Sequence, residues 1–476
     1  MLFNSLEYSL FLPTVFILYW FIFCKKYQTQ NLLILVASYV FYGWWDWRFL
    51  SLILLSTIVD YFAGLKIDTV KNKKIKKSYL WVSILFNLSI LGFFKYFNFF
   101  IDSWVNVLGA FGFQTASVWT LHVILPVGIS FYTFQTMSYS IDIYYGRLKP
   151  TKDFISFASF VSFFPQLVAG PIERASNLLP QILKVRTFQY RKGVEGLRLI
   201  LWGMFKKVVV ADSLAWRVDY CFDNYLTLDG GTLLLGLIYF SIQIYCDFSG
   251  YSDIAIGTAK LFGIELMSNF KFPYFSRDIA EFWRRWHISL SSWFKDYLYI
   301  PLGGSRFGKW TSIRNIFIIF ILSGLWHGSN WTFIAWGICH ATFYLPFFLS
   351  SRNRQYIMDT VAMDSWFPSL KELFQMVTTF SLITLAWVFF RSESLHDSFN
   401  YLYLLIKKLS IPLDNRSGIF FVVLLILFDW SMRRYERSPL NYTNKYIRRF
   451  YYILFGYFIF AHLQLIDVTQ FIYFQF

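Results

Sequence analysis

Long apolar runs recur from one end of the chain to the other, and basic residues bound many of them. Examples are LEYSLFLPTVFILYWFIFC near the start, NLLILVASYVFYGWW shortly after it, and FYYILFGYFIFAHLQLI near the end. Runs of this length suit the hydrocarbon core of a bilayer, which is ~30 Å thick and takes about 20 apolar residues as a helix. The pattern predicts an all-α fold, a polytopic integral membrane protein of about 11–12 transmembrane helices.

Composition supports this interpretation and argues against a soluble protein. The chain is 56% hydrophobic and only 15% charged, so its 476 residues do not indicate the soluble domains that the length alone would suggest. The net charge of +16 matches the excess of Lys and Arg in cytoplasmic loops better than a nucleic-acid-binding surface. The first apolar run lacks the flanks of a cleaved signal peptide. We expect one membrane domain over residues 1–476.

The basic clusters predict which segments face the cytoplasm, because Lys and Arg are enriched in cytoplasmic loops. The clusters are Lys25 with Lys26, residues 71–77, residues 147–152, residues 251–313 and residues 433–449. Both termini then lie on the outer side of the membrane, including a C-terminal tail at residues 467–476. The segment 154–170 is interrupted by serine and proline, so we expect it to be re-entrant or interfacial.

His327 is the strongest candidate for a catalytic residue. It lies in SGLWHGSN, a polar and glycine-containing interruption of a long apolar stretch that has no charged residue between Arg314 and Arg352. Ionisable residues at membrane depth mostly face an internal cavity. Irregular backbone at that depth is tolerated only beside a cavity or inside protein. The alternative is a core histidine that is satisfied by packing.

His287 lies in RDIAEFWRRWHISLSSWFKDYLYIPLGG, which has helical charge spacing. If the segment is one helix, Glu281 and Arg285 form an i,i+4 pair, and Arg284, His287 and Ser291 share a face. The interleaved tryptophans also fit a helix on the membrane surface with a solvated histidine. Spacing alone does not favour the catalytic role over the surface role.

The remaining polar residues of the apolar stretches carry weaker signals. We expect His340 to pack in a span, Asp247 and Asp253 to line a cavity or cap helices around a break at Gly250, and the lysines of MFKKVV to reach the membrane surface. The four cysteines are scattered, and no His-x-x-x-His or His-Glu-x-x-His spacing occurs. We therefore predict no metal site.

Five stretches of the chain resemble the membrane-bound O-acyltransferase (MBOAT) family, in the bacterial branch that contains alginate O-acetylation proteins. They are LPVGISFYTFQTMSYSIDIYYG (125–146), FFPQLVAGPIERAS (163–176), YCDFSGYSDIAIG (245–257), FWRRWHISLSSWFKDYLYIPLGG (282–304) and LSGLWHGSNWTFIAWGICH (322–340). The resemblance implies a ring of tilted helices around a central tunnel. It also implies a catalytic histidine at His327 and a second functional histidine at His287.

The same resemblance implies a reaction and a location. The donor would be a cytoplasmic acyl thioester, acetyl-CoA in the simplest case, with no permanently bound cofactor. The acceptor would be a cell-envelope polysaccharide such as alginate, reached through an extracytoplasmic SGNH/GDSL-like partner protein, in a bacterial inner membrane. Because coenzyme A carries phosphates, we expect Arg284, Arg285 and Lys295 to bind the donor at the cytoplasmic mouth of the tunnel.

The C-terminal sequence QFIYFQF allows two hypotheses. Its Phe and Tyr residues could form an aromatic anchor at the membrane interface. It also resembles a C-terminal F-x-Y-x-x-F motif of related envelope-acylation systems, formed here by Phe471, Tyr473 and Phe476. The resemblance implies that Tyr473 carries the acyl group transiently as a relay.

Three alternatives to alginate acylation stay open. The polymer could be peptidoglycan or another envelope glycan, since relatives differ in acceptor. A transporter or flippase would use a similar membrane body, although inverted internal repeats, which would favour it, are not evident in the sequence. A non-catalytic assembly scaffold is the third alternative.

Overall fold

The computed structural model describes residues 1–112, 125–357, 359–412 and 414–465, and within these ranges the chain is helical without β-strands. The α-helices in chain order are α1 (Leu6–Ile17), α2 (Tyr27–Asp46), α3 (Leu50–Thr69), α4 (Lys73–Leu91), α5 (Phe97–Ala110), α6 (Ile129–Tyr144), α7 (Phe154–Ser162), α8 (Phe164–Leu167), α9 (Ala175–Ile182), α10 (Tyr190–Met204), α11 (Asp212–Asp223), α12 (Gly230–Leu261), α13 (Ile279–Arg285), α14 (Ile288–Phe294), α15 (Lys309–His327), α16 (Trp331–Leu349), α17 (Leu370–Arg391), α18 (Leu395–Lys407), α19 (Ile419–Met432) and α20 (Lys445–Leu465).

Five helical stretches of the described chain are long and apolar enough to cross a membrane. They are Tyr27–Thr69, Lys73–Ala110, Gly230–Leu261, Trp331–Leu349 and Leu370–Arg391. A shorter apolar helical stretch covers Leu6–Ile22. This confirms the prediction of an all-helical, polytopic membrane protein.

Four wide, π-helical turns interrupt or extend the helices. They are Leu18–Ile22, Gly92–Tyr96, Phe205–Ala211 and Lys295–Tyr299. Such turns are rare and are found frequently at functional sites. Two of the four carry buried or partly buried lysines, which are described below.

Helix α12 joins the two large hydrophobic clusters of the bundle. Its first half packs in a cluster with α10, α11, α16 and α17, and its second half packs in a cluster with α1, α2, α6 and α7. This long central helix is almost entirely buried. The expected helix break at Gly250 is therefore wrong, because α12 runs without interruption from Gly230 to Leu261.

Glycines allow α10 and α12 to approach each other backbone to backbone. A Cβ atom on Gly203 would lie 2.5 Å from the carbonyl oxygen of Gly250, and a Cβ atom on Gly196 would lie 2.6 Å from that of Gly257. Small residues at helix crossings are typical of membrane bundles, where close packing replaces the hydrophobic effect as the driving force. Gly250 therefore serves helix packing and does not end a helix.

The two lysines of MFKKVV are buried in ion pairs instead of reaching the membrane surface. The Lys206 Nζ atom lies 2.7 Å from an Asp253 carboxylate oxygen, and the Lys207 Nζ atom lies 2.7 Å from Asp247 and 2.8 Å from Asp212. Neither lysine is more than 3% exposed. Leaving one partner of such a buried pair alone costs about 3–5 kcal/mol. The predicted snorkelling is wrong because carboxylates on α12 and α11 lie within reach inside the bundle.

The segment 154–170 is buried in protein, so the interfacial alternative of its prediction is wrong, whereas the re-entrant alternative stays a prediction. It forms the short helices α7 and α8, and every residue from 156 to 170 is buried in protein. Its serines face helix α2: the Ser159 hydroxyl donates to the carbonyl oxygen of Asn31 (2.9 Å), and the Asn31 amide donates to Ser156 (2.8 Å). The polar residues that suggested a headgroup position are satisfied inside the bundle.

Replacing Gly203 by alanine tests the close crossing of α10 and α12. Because the added Cβ atom would meet backbone of α12, we expect Gly203→Ala to destabilise the protein by about 1–3 kcal/mol. Gly193→Ala is the matched control in the same helix, since its Cβ atom would meet nothing nearer than 3.4 Å. Thermal unfolding in detergent should show a lower midpoint for Gly203→Ala only, and equal midpoints would contradict the packing argument.

Candidate active site

His327 is the last residue of α15, inside the apolar bundle. Its side chain is 2% exposed, and the chain continues through Gly328 in an extended conformation (φ −158°). Gly324 brings α15 close to α16, since a Cβ atom there would lie 2.1 Å from the carbonyl oxygen of Phe333. The polar interruption SGLWHGSN is therefore the sharp turn between two closely packed helices, and it places an imidazole in the protein interior.

His287 lies opposite His327, at a break in the segment that the charge spacing predicted as one helix. Its backbone adopts a left-handed conformation (φ +43°), which separates α13 from α14. The predicted pair of Glu281 and Arg285 is present at 2.8 Å, because it lies within α13. His287 is fully buried, so the hypothesis of a solvated surface histidine is wrong.

The two imidazoles face each other in an aromatic environment. Their ring centroids are 6.1 Å apart, and the Trp326 ring lies 5.6 Å from His287 and 5.0 Å from His327. Trp336 and Phe390 cover His327 at 5.2 Å and 5.4 Å. Neither ring nitrogen of His287 has a hydrogen-bond partner among the described residues. An apolar site of this kind strengthens any interaction with a charge that forms during a reaction.

His340 belongs to the same aromatic cluster. Its ring lies 4.7 Å from Trp336 and 4.9 Å from Trp283, and the residue is fully buried. It packs within α16, as predicted, and Trp336 lies between it and His327. His340 is not among the described lining residues of the two cavities next to this cluster.

Helix α15 contributes to the walls of two cavities, a small one that His327 lines and a large one that Ser323 lines. The small cavity, about 50 Å³, is lined by His327, Trp326, Lys95 and Ser130 together with residues 125–131. The large cavity, about 580 Å³, is lined by Trp283 and by one side of α15 that includes Ser323. Ser323 and His327 are one helical turn apart on α15, about 6 Å along its axis. Residues one turn apart on α15 therefore line the two cavities, and His287 is not among the described lining residues of either one.

Four basic side chains line the large cavity: Arg284, Lys295, Arg306 and Arg354. Arg284 is held by the chain, since its guanidinium donates to the carbonyl oxygens of Asn353 (2.6 Å) and Tyr356 (3.1 Å). Burial lowers the pKa of the Arg284 guanidinium. The Lys295 side chain is exposed, and its Nζ atom lies 4.0 Å from a carboxylate oxygen of Asp296.

Arg306 and Arg354 differ from Arg284 in that their guanidinium groups make no hydrogen bond or ion pair with other described residues. Both are exposed and are free to meet an anionic ligand in the cavity. Arg285, which the sequence analysis assigned to donor binding, does not line the cavity. Its guanidinium is held by Glu281 and by the carbonyl oxygen of Asp359 (2.7 Å). Arg354 was not predicted as a site residue, because its only signal is its place in the basic segment SRNRQYI.

Other predicted residues either do not line the two cavities or lie outside the described ranges. Asp247 and Asp253 are paired with lysines, as described above, and do not line either cavity. Tyr473 and the tail at 467–476 lie outside the described residues. Within the described ranges, no group of three or more His, Cys, Asp or Glu residues is placed to hold a metal ion.

Comparisons with known proteins find relatives over most of this chain. Residues 147–390 match the family model of MBOAT, the membrane-bound O-acyltransferase family. A probable alginate O-acetylase of Pseudomonas putida is 43% identical over 391 residues, which cover 81% of this chain and 76% of that protein. A probable alginate O-acetylase of Pseudomonas aeruginosa is 38% identical, over 91% of this chain and 81% of the relative. A peptidoglycan O-acetyltransferase of Helicobacter pylori is 37% identical, over 84% and 79%.

The matched residues 147–390 include the residues of α15 that line the two cavities, and they include both histidines, His287 and His327. Together with the apolar helices, these similarities identify a multi-pass membrane enzyme that transfers acyl groups to oxygen. The chain belongs to the membrane-bound O-acyltransferase family.

Proposed function

We propose that the protein moves an acetyl group from cytoplasmic acetyl-CoA across the membrane for O-acetylation of an extracytoplasmic, alginate-like polysaccharide. The observation that carries the proposal is the position of His327 in the wall of one cavity, one helical turn from a second cavity that is lined by basic residues. The relatives named as alginate O-acetylases support the choice of group and polymer. The proposal includes a single membrane domain over residues 1–476 in a bacterial inner membrane.

His327 is assigned the role of general base. An acceptor hydroxyl attacks the thioester carbonyl carbon while its proton passes to the imidazole. The tetrahedral intermediate then breaks the carbon–sulfur bond, and the departing coenzyme A thiolate takes the proton. The products are an acyl ester and free thiol, with His327 restored. An imidazole, with an ordinary pKa of about 6.5, suits this exchange near neutral pH.

His287 is assigned a supporting role beside the base. Its two ring nitrogens are buried and have no partner in the described chain, and its ring faces that of His327. Such a group is available to hydrogen-bond the thioester or the departing sulfur during transfer. A buried polar group that is satisfied only by a reacting ligand favours the bound state over the empty site.

Replacing His327 by glutamine tests the base, with His340→Gln as the matched control. Both histidines are buried in the same aromatic cluster, but His327 lines the small cavity, whereas His340 is not among the described lining residues of the small or the large cavity. General base catalysis contributes typically 10²–10⁴-fold, so we expect His327→Gln to lower acetyl transfer by about 100-fold or more. His340→Gln should keep most of the activity. Polymer ester content close to that of the wild type in His327→Gln would contradict the proposal, and a transporter or scaffold would predict that result.

Donor binding is assigned to Arg306, Arg354 and Lys295 at the large cavity, with Arg284 holding the chain beside it. Positive charge at a cavity mouth attracts the phosphates of coenzyme A and positions them. The sequence-based choice of Arg285 is replaced by Arg306 and Arg354, since the Arg285 guanidinium is held by Glu281 and does not line the cavity.

Charge reversal at Arg354 tests the donor site. We expect Arg354→Glu to raise the apparent KM for acetyl-CoA, and to raise it more at low salt, because screening weakens exposed charge interactions. Arg449→Glu is the control, since it makes the same charge change at an exposed residue of the last predicted cytoplasmic cluster. If steady-state kinetics in membranes give the same KM for both variants at every ionic strength, the donor enters elsewhere.

We further propose that the acyl group passes through Tyr473 to an SGNH/GDSL-like partner on the outer side, where both termini lie. The Tyr473 hydroxyl would be the first acceptor, and a partner serine would then take the acyl group while its proton goes to the departing phenolate. A phenol with an ordinary pKa of about 10 is a better leaving group than a sugar hydroxyl, so the ester keeps enough driving force for onward transfer.

Tyr473→Phe separates a relay from an aromatic anchor, because it keeps the ring and removes only the hydroxyl. We expect the variant to lose polymer acetylation, while Phe471→Leu, which keeps an apolar side chain and the tyrosine, retains it. Mass spectrometry of the C-terminal peptide should detect an acetyl group on Tyr473 in the wild type. Normal ester content in Tyr473→Phe would show that the tail is an anchor only.

O-acetylation of peptidoglycan is the second candidate function. The observation that favours it is the 37% identity to the Helicobacter pylori relative over most of both chains. Deleting the gene and measuring the ester content of both polymers decides between the two candidates. We expect ester groups to disappear from an alginate-like polysaccharide. Their loss from peptidoglycan alone would favour the second candidate.

A further inference from the structure

Two consecutive residues of another helix satisfy the C-terminal carbonyl groups of α15. The Lys95 Nζ atom donates to the carbonyl oxygens of Trp326 (2.7 Å) and His327 (3.0 Å). The Tyr96 hydroxyl donates to the carbonyl oxygen of Leu325 (2.7 Å). Both residues belong to the π-helical turn Gly92–Tyr96 between α4 and α5.

The last turn of a helix leaves its final carbonyl groups without partners inside the helix. In α15 the Gly328 N–H serves the carbonyl of Gly324, and the next three carbonyls are those served by Lys95 and Tyr96. The end of α15, which carries His327, is thus held by three hydrogen bonds from outside its own helix.

Lys95 also lies at the cavity that His327 lines. Both residues are part of the wall of the small cavity, and Lys95 is only partly buried there. An ammonium group has three donors, and two of them are used on the carbonyls. The lysine therefore reaches the backbone of the histidine at the small cavity.

We propose that Lys95, assisted by Tyr96, is a positioning residue that fixes the imidazole of His327 for acyl transfer. The inference rests on the proposed function of His327 as the base. It acts through the backbone of residues 325–327, so it sets the orientation of the imidazole and leaves donor binding at the large cavity unchanged. A misplacement of about 1 Å in a catalytic group can cost ~100-fold in rate.

Three variants test the proposal in native membranes that contain the full-length protein, with acetyl-CoA as the donor. Lys95→Met keeps the apolar stem and removes the donors and the charge, and we expect kcat to fall by about 100-fold with KM for acetyl-CoA within about threefold of the wild type. Lys95→Arg restores a charged donor and should recover at least about a tenth of the wild-type kcat, as expected when a charge-assisted hydrogen bond is replaced. Tyr96→Phe removes one hydrogen bond and should lower kcat by about 3- to 10-fold.

Lys408→Met is the matched control, since the Lys408 Nζ atom also donates to a backbone carbonyl, that of Leu226 (2.9 Å), on a different part of the surface. We expect it to leave kcat unchanged. The thermal unfolding midpoint of each variant is also measured. If Lys95 were only structural, its replacement would lower the midpoint and the amount of active enzyme, but the kcat of the folded fraction would stay unchanged.

The outcomes separate this inference from the proposed function. Wild-type kcat in Lys95→Met, together with an inactive His327→Gln, overturns the positioning role and leaves the proposed function standing. Wild-type activity in His327→Gln overturns both. If Lys95→Met does not accumulate as folded protein, Tyr96→Phe decides alone: a lower kcat at unchanged KM supports the inference, and a wild-type kcat overturns it.

Discussion

The need to satisfy the end of a helix inside an apolar bundle underlies the arrangement of the site. Helix α15 stops at His327 among aromatic side chains, and its last carbonyl groups would be costly without donors. Lys95 and Tyr96 supply those donors from a neighbouring helix, and Gly324 lets α16 pack closely enough to receive the turn. The position of the imidazole in the wall of the small cavity follows from these contacts. The same cost explains why the buried lysines of the Phe205–Ala211 turn each meet a carboxylate.

The site has an apolar centre at the two histidines and basic residues in the wall of the large cavity. The facing imidazoles are covered by tryptophan and phenylalanine rings, while guanidinium and ammonium groups line the large cavity. Charge separation in a low-dielectric centre is worth more than in water, so few polar groups are sufficient for catalysis there. Exposed basic groups can attract an anionic donor without the cost of burial. The division suits a reaction in which a phosphate-bearing donor stays at one side and only its acyl group reaches the histidines.

The sequence predicts the parts of this structure that depend on composition and on local breaks in a pattern. Apolar runs indicated the membrane helices, and the polar interruption around His327 indicated a buried, functional turn. The left-handed backbone at His287 was not predictable, because its cause is the packing of α13 and α14 against distant segments such as Asn269, whose carbonyl oxygen accepts from Ile288. Lys206 looked like a surface anchor because its carboxylate partner is 47 positions away. Arg285 and Arg354 are equally basic in sequence, and only tertiary contacts show that the first is occupied by Glu281 and the second is free at the cavity.

The central claim is that His327 catalyses the transfer of an acyl group from a donor in the large cavity to an acceptor in the small cavity. A structure of the full chain with a non-hydrolysable thioether analogue of acetyl-CoA tests it most directly. The account predicts that the analogue places its phosphates beside Arg306 and Arg354, with its acyl carbon within about 3–3.5 Å of where an acceptor oxygen on the His327 imidazole would stand. An analogue bound with its acyl end away from the histidine pair, or outside the large cavity, would contradict the account.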